Sequence, residues 1–213
     1  MRVARGRRLV REQAGRTILI AALAGLVLGG LTQIGQRLLP DALQPLANSI
    51  SPWITVSFLI GALSYRPFAA AVGGWLTLVF ALSGYYLLLA QQYGLDVSTN
   101  SLVLWDVASV AGGFVFGPAG WHWRHGSANV RAVSTGLLAA AFIAESVYLF
   151  MVLQPDAKVG SVLFVIVGLA LPLVLARSRS QRMRAYLAVL PSLGLAVVGY
   201  GCLLLFDSVV AGL

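Results

Sequence analysis

Charge is what this chain most lacks. Only 10% of its 213 residues are Asp, Glu, Lys or Arg, where a soluble domain carries about a quarter. With 59% hydrophobic residues and a mean hydropathy of +0.85, that scarcity excludes an ordinary soluble domain. Cysteine is almost missing as well. The single Cys202 rules out an internal disulfide and a thiolate metal cluster, and its apolar setting is that of a small buried side chain. Histidine is confined to His122 and His125. Without a neighbouring carboxylate or cysteine they make a poor metal site, and Trp121-His122-Trp123-Arg124-His125 reads as an aromatic and basic belt at a membrane interface. H-E-x-x-H, G-x-x-x-x-G-K-[ST] and G-x-S-x-G do not occur. No enzymatic activity, metal or cofactor is therefore expected.

What is present is long apolar runs separated by short basic clusters. The net charge of +8 does not indicate nucleic acid, because no soluble basic module remains once the apolar runs are set aside. Residues 1–16 form a basic N-terminal segment, with Arg2, Arg5, Arg7, Arg8, Arg11 and Arg16 against Glu12. They read as a cytoplasmic anchor suited to anionic headgroups rather than as a cleaved signal. Residues 17–213 read as one transmembrane domain with about seven spans, at roughly 17–39, 52–64, 68–90, 101–121, 132–153, 159–176 and 185–206. Under this arrangement the inside segments hold all the arginines but Arg37, while Asp41, Asp96, Asp156 and Asp207 fall outside. The expected fold is thus an all-α polytopic transmembrane helix bundle with a cytoplasmic N-terminus, in a bacterial plasma membrane.

The second span is irregular. Pro45 and Pro52 prevent a continuous helix from Leu43 to Ser64, and the uninterrupted part is too short to cross alone. A broken, partly re-entrant segment is expected, with Asn48, Ser49 and Ser51 near the break and Pro52 in the first helical turn. In span 1, Ala21, Gly25 and Gly29 recur every four residues. Such a ridge lets another helix approach closely, and a second membrane protein is one candidate to dock on it.

Glu145 lies in the middle of an apolar run. A charge at that depth costs a few kcal/mol (~2.5 or more), so it is expected to face the bundle interior or a cavity. Gln33, Tyr85, Asp106 and Tyr148 fall, like Glu145, in the outer half of the bilayer, and Asn48 lies at the external break. This one-sided placement predicts an outward-facing polar pocket. Two acids with tyrosines would suit a small solute, a cationic one included. The competing reading is that the acids hydrogen-bond neighbouring helices and fix their packing. A solute-binding or transport protein, or else a non-transporting structural or assembly subunit, is the expected function.

The run Leu46-Ala47-Asn48-Ser49-x-x-Pro52-Trp53 is followed by Phe58-Leu59-x-Gly61 and Gly84-Tyr85-Tyr86. Then come Gly113-x-x-Phe116-Gly117-x-Ala119-Gly120 and Ala144-Glu145-x-x-Tyr148-Leu149. Together these resemble a family of uncharacterised bacterial multi-spanning membrane proteins, a domain of unknown function, over about residues 18–150. The resemblance implies an integral membrane protein and no established activity. A more distant likeness is to the S-components of energy-coupling-factor vitamin transporters. Those have six spans and dock a partner through a small-residue ridge on the first, which implies that role for Ala21, Gly25 and Gly29.

Overall fold

The computed structural model describes residues 2–41, 43–47, 49–93, 99–152 and 158–211. Among them every regular element is helical. In chain order these are α1 (Arg2–Leu38), α2 (Gln44–Ala47), α3 (Ile50–Leu63), α4 (Pro67–Tyr93), α5 (Thr99–His125), α6 (Ala128–Val152), α7 (Lys158–Leu175) and α8 (Arg179–Ala211). Six of them, all but α2 and α3, contain a stretch long and apolar enough to cross a membrane. The seventh expected span is α3. At 14 residues it extends about 21 Å, short of a ~30 Å hydrocarbon core. The chain breaks between α2 and α3, and Pro52 stands in the first turn of α3, where its missing N–H costs little. Helix α1 runs as one 37-residue helix from the basic N-terminal segment through residue 16 into the apolar run.

Packing inverts the pattern of a water-soluble protein. Large apolar side chains point outward, Leu187, Leu190, Val197 and Val198 of α8 among them, while Ser57, Thr77 and Thr135 are fully buried. The two threonine hydroxyls return to their own helices. Thr77 Oγ1 donates to the Gly73 carbonyl at 2.8 Å, and Thr135 Oγ1 donates to that of Arg131 at 2.9 Å. Such bonds let polar side chains sit in an interior that offers no water. The chain is a multi-pass membrane protein by this construction.

The helices form two sets, α1, α3, α4 and α5 in one and α6, α7 and α8 in the other, with α5 and α3 meeting α6 between them. In the first set the seams are glycine. A Cβ on Gly25 or Gly29 would overlap backbone of α4 at Thr77 and Ala81, and one on Gly117 of α5 would overlap the Ala70 carbonyl of α4. The ridge of Ala21, Gly25 and Gly29 is therefore buried against α4. The close approach that the ridge permits is made by α4 of the same chain. The contact surface is real, but the chain itself fills it.

The arginine-rich ends of the helices are tied together. Arg124 donates to the Ala62 carbonyl at 3.3 Å, at the end of α3. Arg131 of α6 donates to the Trp123 carbonyl at 2.8 Å and to that of Gly126 at 3.2 Å, satisfying the end of α5. Arg184 of α8 reaches Asn129 Oδ1 at the start of α6.

Candidate functional site

Helix α3 begins inside the bundle, and its first amides need acceptors. Ser49 holds the N-cap position in an extended conformation (φ −120°, ψ 142°), yet its side chain makes no capping bond, and the first turn contains no acid. The acceptor comes from α6 instead. The Ile50 N–H donates to Glu145 Oε1 at 2.7 Å, and the Ser51 N–H donates to Glu145 Oε2 at 2.7 Å. Glu145 is only 2% exposed and lies about 10 Å below the end of α6 at Val152. A carboxylate has joined the positive end of a helix dipole with short charge-assisted bonds, an N-cap supplied from another helix.

The surroundings of Glu145 come from three helices. The Ser49 hydroxyl faces the carboxylate. The Tyr148 ring of α6 stacks on Tyr200 of α8, with centroids 5.1 Å apart and planes 22° apart, and Tyr200 lies within electrostatic range of the carboxylate. The Ser146 hydroxyl donates to the Ser161 carbonyl of α7 at 2.8 Å. Two features here escape sequence reading. The backbone amides of Ile50 and Ser51 have no side-chain signature, and Tyr200 stands apart from every other polar residue in the sequence.

The other expected site residues lie elsewhere. Gln33 of α1 is 3% exposed and donates through Nε2 to Gln92 Oε1 of α4 at 3.3 Å. One turn further on, the Tyr85 hydroxyl donates to Gln36 Oε1 at 3.1 Å. Both belong to the outer seam between α1 and α4. Helix α3 separates this seam from Glu145, and it is fastened to both sides, because Trp53 Nε1 donates to Thr32 Oγ1 of α1 at 3.0 Å. Asp106 is exposed on α5, and its charge is felt by Tyr86 of α4. Asn48 lies outside the described residues.

The structure thus brings Glu145 and Tyr148 together, and places Gln33 with Tyr85 on another seam and Asp106 on an exposed helix face. Nor is Glu145 a bare negative charge awaiting a cation, since two amides and a helix N-terminus already meet it. Among the described residues no group of three or more His, Cys, Asp or Glu could hold a metal. A cavity of about 310 Å³ lies at the opposite, arginine-rich end, between the start of α1 and the end of α3.

The chain belongs to the family of unknown function DUF6518, whose profile matches residues 8–206. No curated protein matches it, and no solved structure does. The ridge that suggested a likeness to energy-coupling-factor S-components packs on α4.

Proposed function

We propose that this DUF6518 protein is a non-enzymatic multi-pass protein of the bacterial plasma membrane that binds or passes a small solute, with α3 as its moving part. One observation carries the reading: a helix too short to span the membrane begins on a buried carboxylate, with both carboxylate oxygens on its first amides. Discontinuous helices whose ends meet charged groups near mid-membrane are the way many transporters build sites. Withdrawal of α3 would free two amides and an acid together, and these would line the opened path with donors and an acceptor. On this reading, the contact of α3 with Glu145 closes the path. An anionic group would compete with Glu145 for the amides, and a proton would weaken its hold on them.

The test is uptake into proteoliposomes and thermal stabilisation across a panel of anionic, neutral and cationic solutes, for wild type and Glu145→Gln. The reading requires at least one solute that separates the two proteins. If none does, it fails.

The same contact favours a second reading, a non-transporting structural or assembly subunit. Glu145 has partners for both oxygens within the chain, so its presence in the apolar run is accounted for by packing alone. Recovery of a stoichiometric membrane partner, with stability indifferent to every solute, is the outcome that selects it.

A further inference from the structure

We propose that the groove between α1 and α3 at the arginine-rich end of the bundle is a binding site for one anionic phospholipid of the inner leaflet. The groove has a volume of about 310 Å³ and joins polar and apolar walls. Gln13, Arg16 and Thr17 stand on the α1 side with Tyr65 across from them, while Ile20, Ile60 and Leu63 continue toward the membrane centre. It is open to the bilayer: Ile20 is 43% and Leu63 61% exposed. Arg16 is the last basic residue before the apolar run of α1, which sets the groove's polar end at headgroup depth.

Charge selects the occupant. Among the described side chains, Arg124 and Arg131 are engaged on backbone carbonyls, Arg184 on Asn129, and Arg66 over the Tyr65 ring at 5.6 Å. Arg16 has no hydrogen-bonded or ion-paired partner among the described residues. A guanidinium at the rim of an apolar groove complements a phosphate that carries acyl chains, which neither a soluble anion nor a neutral lipid matches at both ends. The headgroup phosphate meets Arg16 and Gln13, and one acyl chain lies along Ile20, Ile60 and Leu63.

The experiment uses the full chain purified in detergent, titrated with phosphatidylglycerol or phosphatidylcholine and read by native mass spectrometry. Wild type should retain one phosphatidylglycerol in preference to phosphatidylcholine. Arg16→Gln should weaken that retention about five-fold, the effect of one basic residue near an anionic headgroup. Arg182→Gln, an exposed arginine on α8 outside the groove, should leave it unchanged. Leu63→Trp fills the apolar part while keeping Arg16 and should also displace the lipid. Equal losses for Arg16→Gln and Arg182→Gln would mean diffuse attraction to the basic face and overturn the site. So would displacement by inorganic phosphate as effective as by lipid, or retention unaffected by Leu63→Trp. Thermal unfolding in phosphatidylcholine alone checks that each variant is folded.

Discussion

Replacing Glu145 by glutamine keeps the shape of the side chain and removes half of what it does. The carboxylate accepts two backbone bonds at 2.7 Å. The carboxamide has one acceptor oxygen, so its NH2 must confront the second amide, donor against donor. A charge-assisted bond contributes about 1.5–3 kcal/mol, and an orphaned buried amide costs a further ~1–3. Against this stands relief from burying a charge, itself several kcal/mol when unpaired. Here the charge is compensated by two amides and a helix N-terminus, so the relief is small and the loss prevails by about 2 kcal/mol. At 1.4 kcal/mol per decade, that corresponds to roughly 30-fold faster hydrogen exchange for the first amides of α3. Glu145→Ala should remove both acceptors and cost more, about 3–4 kcal/mol. Hydrogen-exchange mass spectrometry in lipid nanodiscs, on peptides from the start of α3, reads this directly, and thermal unfolding gives the global value. Unchanged protection in Glu145→Gln, or a variant more stable than wild type, would refute the capping role.

The seam between α1 and α4 makes a paired prediction. Gly29→Ala should destabilise by about 1–3 kcal/mol, because the new methyl meets the Ala81 carbonyl. Gly194→Ala on α8, where nothing lies within 4 Å, should be neutral or stabilising by about 0.5–1 kcal/mol through helix propensity; thermal unfolding in one detergent ranks the two. At the arginine-rich end, Arg131→Lys should lose about 1–2 kcal/mol despite keeping the charge, since one ammonium does not reproduce a planar fork on the Trp123 and Gly126 carbonyls. Ser146→Ala should cost only about 1 kcal/mol, seen as increased proteolysis or earlier unfolding, because it removes one neutral bond between α6 and α7.

Depth was legible in the sequence and direction was not. Hydropathy and arginine placement locate the long helices, because burial in lipid is a property of a whole run of residues. The proline pair locates the break before α3 for an equally local reason. Which way a residue faces depends on what packs beside it. Asp106 and Glu145 occupy similar depths, yet one is exposed on α5 and the other buried beneath α3. The ridge of Ala21, Gly25 and Gly29 marks a close approach without saying whether the partner belongs to the same chain. It belongs to α4, because the short α3 returns the chain so that α4 runs parallel to α1 and brings Thr77 and Ala81 against the glycines.

Glu145 stood out because an acid in an apolar run lacks a visible partner, and its partner could only be found by asking the converse question of α3. A helix that starts inside a membrane needs acceptors for its first amides. Its first turn has no acid, and its N-cap serine does not serve it. The unmatched donors and the unmatched acceptor answer each other. If that exchange is the whole role of Glu145, the acceptor can be moved. Ser49→Asp places a carboxylate at the N-cap itself, where the backbone is already extended. In the wild-type background it sets a second anion beside Glu145 and should destabilise. In the Glu145→Ala background it should restore stability, recovering about 1–2 kcal/mol of the loss. The double variant would then lose less than the sum of the two single losses, a coupling that independent sites do not show. Additive losses would show that Glu145 does something that capping α3 does not explain. A rescued fold that remains inactive toward a solute distinguished by wild type would separate the transport role from the structural one.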